Sequence, residues 1–466
     1  MNTKSFLAAI VAAMACGLCA AQSTPPQATD EQRGADSAPN YTLPAMEILG
    51  FDFLLNRYNH RFSGVTDYDV SLDSIRRNLH SSWVVDADPF NINQLGHPYQ
   101  GSMYHGFARS SGLDFWPSMG LTFAGSIGWE IAGEQTRPSR NDQVASGVGG
   151  SFLGEALYRM ANLLLEKGGG VSPFWREAGA AVISPSNGFN RLVYGKHYGK
   201  DLGAIFDSRE APYYSRLQLG AMGTVQNLSG LSSLLHRNEV QANFALDYGM
   251  PGKPGYQYRR PFDYFAFEAT ATSAGSFESL MTRGLLMGRD YAVGDSYRGV
   301  WGMYGTYDYV SPQTFRVSTT AVSVGTTGEW RASDSLAVQG TALAGVGYAA
   351  VGALNGAADD YHYGVSPQVL LALRVIHRDD MSFDLTARDY FVSRAAAGPG
   401  GQDNIARVDA SFTKRLKGPH AVTLKYLWNR RDATSTALGS RSQTRGTFGV
   451  FYTLLGHDGF GHVDWK

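Results

Sequence analysis

Glu130 and Glu134 stand four residues apart in the stretch SIGWEIAGEQ, so on a helix they share one face. Two carboxylates so placed repel unless one is protonated or a cation lies between them. Burying either group unpaired is costly, which makes Arg109, Arg137, Arg140 and His97 candidate partners. The face therefore either ends at a wet surface or belongs to a functional cluster with shifted proton affinities. Asp142 follows Ser139 by three residues, a capping-box spacing that also sets an acid in the first helical turn. Glu155 lies thirteen residues beyond Asp142, about 220° round a straight helix, so the two cannot face one pocket. Arg159, at i+4, is its natural partner, and this ranks Glu155 below Asp142 as a site residue. His97 precedes Pro98, which predicts extended backbone just ahead of the first helix. Alone, a histidine in such a place is a structural hydrogen-bonding group.

The elements that must position these groups are helical. Apolar periodicity predicts helices over 101–110, 113–133 and 141–166, with Pro138 ending the middle one, in a compact domain over 97–167. The charge-free part of the middle helix runs only from Phe115 to Trp129, short of the ~20 residues that span a bilayer. It reads as a buried core helix. Ser146, Gly150 and Gly154 recur every four residues, a small stripe on which a second helix can lie close.

From residue 213 onward the period changes to two. In EVQANFALDYG, Val240, Ala242, Phe244, Leu246 and Tyr248 point one way, and Glu239, Gln241, Asn243 and Asp247 the other. FAFEATAT, IARVDASFTK and AVTLKYLWNR alternate in the same manner. A soluble sandwich gives this pattern too. Segments of roughly ten to fourteen residues fit tilted transmembrane strands better. Aromatic residues near segment ends, as in YRGVWGMYGTYDYV, suit interfacial girdles, and breaks such as GMPGKPG and AAAGPGGQD separate the segments. The predicted fold class is α+β: a transmembrane antiparallel β-barrel of about 12 strands over 213–455, preceded by the helical domain and followed by a short tail, 456–466. Segment 41–96 reads as irregular, a short helix and extended pieces on the barrel mouth, and 168–212 as an irregular, Gly-rich connection.

The opening MNTKSFLAAIVAAMACGLCAAQS reads as a cleavable signal peptide, 1–21, followed by a disordered linker, 22–40. Both cysteines fall inside the signal peptide, so the exported chain is expected to carry no thiol. With 40 basic and 41 acidic residues the chain offers nothing to nucleic acid. The expected location is the cell outer membrane and the expected partners are membrane lipids; nothing in the sequence sets an oligomeric state.

The run HPYQGSMYHGFARSSG, then WEIAGE, ND and GGSFLGE, resembles an uncharacterised family of Gram-negative outer-membrane proteins over about residues 80–170. More distantly, a histidine, a spaced pair of acids and an aspartate before Gly-x-x-x-Gly resemble the VanZ and YfiM-like helical domains of the proposed lipocone superfamily. That resemblance implies action on lipids or lipid-linked headgroups. It matches His97 to the leading histidine, Glu130 and Glu134 to the glutamate pair, and Asp142 to the aspartate. Asn93-Gln94 stands where YfiM-like domains carry Asp-Lys. On this reading His97 is base or nucleophile toward a phosphoester, Glu134 or Glu130 orients it, and Asp142 holds a proton or a cation. Arg109, whose fork matches phosphate, and Asn141 are the candidate substrate-binding residues. No cofactor is expected; a divalent metal shared by His97 and the carboxylates is the variant, though no zinc-type spacing is present. The expected function is phosphoester hydrolysis or transfer on a lipid-linked headgroup by a barrel-anchored domain. The alternative is a passive barrel with the helices as plug or periplasmic cap.

Overall fold

The chain from Tyr213 to Leu455 pairs with itself as a continuous antiparallel meander. In the computed structural model, which describes residues 40–463 except 87, 169, 196–210, 229–234, 276, 313–314, 353–360, 394–400, 436–438 and 457–459, it forms twelve strands. They are β1 (Tyr213–Leu228), β2 (Leu235–Tyr248), β3 (Phe265–Thr272), β4 (Ser279–Val293), β5 (Tyr297–Val310) and β6 (Val317–Ser333). The second half is β7 (Leu336–Gly352), β8 (Tyr361–His377), β9 (Met381–Ser393), β10 (Gly401–Lys417), β11 (His420–Ser435) and β12 (Gly439–Leu455). β12 pairs back on β1, from Arg216 opposite Leu455 to Leu228 opposite Gln443, and closes the barrel. Strand count and limits match the sequence reading. The expected signal peptide and nearly all of the linker lie outside the described residues.

Period-two alternation sorts the two faces. Val240, Val324, Leu371, Leu424 and Val450 are exposed on the outside. Inside, Arg374 meets Asp384 at 2.7 Å and Asp247 at 3.0 Å, Arg216 meets Asp384 at 3.2 Å, and Lys425 meets Asp409 at 2.8 Å. These side chains fill the lumen, leaving a cavity of about 110 Å³ among them. An apolar exterior around a charged interior is the architecture of an outer-membrane β-barrel. The tail is not merely appended. Phe460 and Val463 are buried against Tyr214 and Leu455, and the Val463 amide donates to Glu329 Oε2 at 3.2 Å, so 460–463 closes one end of the lumen.

The helices precede the barrel: α1 (Thr42–Phe62), α2 (Leu72–His80), α3 (His97–Ser110), α4 (Phe115–Ala132), α5 (Gly150–Lys167), α6 (Pro173–Ile183) and α7 (Pro185–Tyr194). Segment 41–96 is thus not irregular. α1 is a 21-residue helix that packs on α3 and α4, not on the barrel mouth. Likewise the described part of 168–212 is largely helical: Pro173 and Pro185 each start a helix after a serine, where proline's missing N–H costs nothing. His97 is helical rather than extended, because wide π turns over Ile92–Gly96 lead into α3 and its amide donates to Ile92 O. A second π segment, Gln143–Gly149, joins the turn Arg140–Asp142 to α5. The small-residue stripe does bring helices together: a Cβ on Gly101 would lie 2.1 Å from Ser146 O, and one on Gly150 2.7 Å from Gly101 Cα.

The helices do not enter the lumen. Gly149 and Phe152 lie against Tyr307 and Gly305, on the outward face of β5, whose alternate residues Thr306 and Asp308 line the interior. Further along, Arg159 reaches Asp263 and Lys167 stacks over Tyr213, so α5 runs down the outer wall from one end toward the other. Phe115, Phe152 and Leu164 share one core with the outward Phe244, Phe265, Phe267 and Tyr307. A plug is excluded by this placement. No helix among the described residues is long and apolar enough to cross a membrane.

Inside the domain Tyr104 donates to Asp52 and accepts from Gln100, joining α1 to α3. Burial pushes the Asp52 carboxyl up to about 7. The folded chain therefore keeps a proton that the unfolded chain releases near pH 4, and its stability falls as pH rises from there toward 7. Asp52→Asn is expected to flatten that slope in thermal unfolding followed by helical circular dichroism; an unchanged slope refutes the assignment.

Candidate functional site

Three segments build the site: the start of α3, the end of α4, and the turn at Ser139–Asp142. One side-chain donor atom each from His97, Glu130 and Asp142 lies within 4.8 Å of the other two, and all three residues are buried. Ser139 organises the acids. Its side chain accepts from the Asp142 amide, as the capping spacing predicts, and its hydroxyl donates to Asp142 Oδ2 at 2.5 Å. Its own amide donates to Glu130 Oε2 at 2.7 Å. His97 Nε2 is 3.8 Å from Asp142 Oδ2, and its Nδ1 is 3.4 Å from Ser146 Oγ.

Glu134 shares the buried end of α4 but is held differently, accepting from Trp129 Nε1 at 2.7 Å and from Thr136 Oγ1 at 3.1 Å. Asn141 donates to Asp142, to Asp86 at 2.7 Å, and to Tyr363 at 2.9 Å. Asn93 also donates to Asp86, at 2.6 Å, and to Tyr361 at 2.7 Å. Tyr361 and Tyr363 lie on the outward face of β8, so the barrel wall itself contributes to the site's surroundings. Burial, with Asp142 and Glu134 nearby, pushes Glu130 up to about 10. Burial raises Glu134 to about 7 despite the opposing pull of His97. Burial and the adjacent Asp86 hold Asp142 well above the ordinary range. In a site short of positive charge, these acids hold protons or a cation.

Arg109 is not with them. Twelve residues along a helix place it about 18 Å from His97 and roughly 120° round the axis. Its Nε donates to Glu155 at 2.7 Å, and Glu155 also receives Arg159 at 2.7 Å and faces His105 Nε2 at 3.1 Å. Arg159 continues to Asp263 at 3.1 Å and Pro261 O at 2.6 Å, tying α5 to the β2–β3 connection. The i+4 pairing expected for Glu155 is present, within a larger anchor. Burial favours a protonated Glu155, but Arg109 and Arg159 outweigh it and hold the carboxyl well below its usual range. The structure thus joins His97, Glu130 and Asp142, with Glu134 and Asn141 beside them, and separates Arg109 and Glu155. Ser139, marked by its capping spacing, belongs to the neighbourhood, and so do Asp86, Asn93, Tyr361 and Tyr363, which no spacing singles out as site residues. The Asp86-Ala-Asp88-Pro run just before α3 was the available signal.

Fold and site together define an outer-membrane β-barrel carrying a buried histidine–carboxylate cluster in helices docked on its outer wall. The family described as a domain of unknown function (DUF3943) matches residues 82–186, a span that contains His97, Glu130, Glu134 and Asp142. No curated protein matches the chain. Among solved structures, the outer-membrane channel DcaP of Acinetobacter baumannii is 9% identical over 52% of this chain and 97% of its own, with a TM-score of 0.24. The KdgM porin is 10% identical over 50% and 98%, with a TM-score of 0.20. An anion-selective porin from Comamonas acidovorans is 8% identical over 53% and 100%, with a TM-score of 0.22. At those scores the likenesses carry no argument about the site.

Proposed function

We propose that the helical domain is an enzyme acting on a phosphate-bearing, lipid-linked headgroup, by phosphoester hydrolysis or transfer, with the barrel as its anchor. One observation carries this reading: the cluster sits in a domain docked on the barrel's lipid-facing wall. That domain itself turns apolar side chains outward. On α1, Phe53 and Leu54 are 65% and 67% exposed, while Asp52 and Asn56 face inward. Phe189, Leu192 and Val193 are exposed on α7. Exposed apolar side chains beside basic ones suit contact with a lipid surface, and a substrate reaching the site along that surface is a lipid.

The headgroup chemistry follows from charge. Exposed Arg57, Arg61, Arg76, Arg77, Arg137 and Arg140 lie on segments that converge beside the site. Asn56 donates to Gly133 O, Arg77 to Gln135 O and Arg137 to Ser82 O. None of the six pairs with a carboxylate among the described residues. Such a collar favours a phosphate-bearing headgroup. Turns of two or three residues lie at the barrel end remote from Tyr361 and Tyr363, as at 334–335 and 378–380. Such turns face the periplasm in barrels of this kind, which puts the site toward the outer leaflet.

The test is mass spectrometry of envelope lipids from cells holding wild type or His97→Ala at matched levels. A lipid class changed by the wild type alone is the expected result. Identical profiles from two folded barrels sink the proposal.

A further inference from the structure

We propose that His97, Glu130 and Asp142 form a divalent metal site, with one imidazole nitrogen and two carboxylate oxygens as ligands and an open position for substrate or water. The inference deepens the lipid-headgroup reading and rests on it only for what the ion would do. The site itself stands on geometry. Two ligands each about 2.1 Å from one ion, at the tetrahedral angle of about 109°, lie roughly 3.4 Å apart. His97 Nε2 and Asp142 Oδ2 are 3.8 Å apart, too far for a hydrogen bond and close to that separation. The third ligand has a free atom: Glu130 is 3% exposed, and its Oε1 has no hydrogen-bond partner among the described residues.

Each ligand is also held from behind. The Ser139 amide fixes the other oxygen of Glu130 at 2.7 Å, Asn141 fixes Asp142 Oδ1 at 3.0 Å, and Ser146 Oγ stands 3.4 Å from the far nitrogen of His97. Outer groups that orient ligands in this way are a regular feature of metal centres. No lysine or arginine pairs with Glu130 or Asp142 among the described residues, so the cluster lacks the positive charge an ion brings. One nitrogen and two oxygens suit a borderline divalent ion of the zinc or manganese class. Three protein ligands with a vacant position are the pattern of catalytic rather than structural sites.

Full-length protein in detergent, stripped with chelator and dialysed, is titrated with Zn²⁺ or Mn²⁺ alone, and bound metal is counted by elemental analysis. One tight equivalent is expected in the wild type. It should be lost in Glu130→Gln and in Asp142→Asn. Ser139→Ala, which removes the hydroxyl holding Asp142, should weaken it about 10- to 100-fold. His60→Ala, at the surface pair with Asp69, should leave it unchanged. Absence of tight binding, or an equivalent that persists in both carboxamide variants while helices and barrel remain folded, overturns the site. Lipid turnover at the wild-type rate by metal-free protein overturns the ion's part in the chemistry and leaves the lipid reading standing. Metal binding without any change in envelope lipids keeps the site and sinks the lipid reading.

Discussion

Glu155→Gln is expected to lower the melting temperature of the helical domain strongly while leaving the barrel closed. Glu155 is the single carboxylate between two guanidiniums, Arg109 and Arg159, which are 4% and 1% exposed. Without its charge Arg159 still has Asp263, but among the described residues Arg109 keeps only Leu113 O and the face of Tyr158. Removing one partner of a buried ion pair costs about 3–5 kcal/mol, because the other charge stays buried. A domain stable by about 5–15 kcal/mol does not absorb that easily. The sign with pH is set by a depressed carboxyl: its contribution is present above the ordinary carboxylate range and is lost only as pH falls through the lower, folded value. Helical circular dichroism reports the domain, and resistance of the barrel to heat in a detergent gel reports the rest. A variant that melts with the wild type would show that this cluster does not anchor α5.

Glu130→Gln is expected to do the opposite. It should leave the domain folded, and in metal-free protein more stable than the wild type, while headgroup turnover drops by at least about 10²-fold. Glu130 is pushed up to about 10 from an ordinary value of 4.5. Between those values the folded chain holds a proton that the unfolded chain has released, so stability falls as pH rises through the window. Glutamine has no proton to lose. Its advantage should be absent at pH 4 and clear at pH 8, read as the difference in melting temperature between variant and wild type. An equal difference at both pH values would contradict the buried, proton-holding state assigned to this side chain. Of two buried glutamates, one is thus retained for the fold and the other at its expense.

The barrel was legible because alternation survives any tertiary context that buries one face: Val240, Ala242, Phe244, Leu246 and Tyr248 point outward as their spacing implies, and β12 ends at Leu455 as expected. Legible too was the close approach of helices at Gly150 and Gly154. The meeting of His97 with Glu130 and Asp142 was not written in any spacing, since three segments supply them; the cost of burying carboxylates unpaired pointed only to His97 as one candidate partner among four. Arg109 misled because its guanidinium suits phosphate equally well wherever the helix points it. α1 was misread for a physical reason. Asp52 and Asn56 are buried on the same side as Ile48, while Met46, Leu49, Phe53, Leu54 and Tyr58 are exposed, so apolar periodicity does not mark its buried face. The place of the helices on the outer wall was equally hidden, because Phe244, Phe265 and Tyr307 carry the same outward signature whether lipid or helix covers them.

The shared core of helices and strands bears on the order of assembly. Synthesis delivers the helices first, but the surface that closes over Phe115, Phe152 and Leu164 belongs to β2, β3 and β5, which follow them. Until those strands pair, the N-terminal part has an open apolar side and needs shelter from aggregation on its way across the periplasm. Its last contacts form only against a finished wall. The barrel is therefore the mould in which the earlier-made half of the chain sets, and a fragment ending before Tyr213 lacks the surface that completes it.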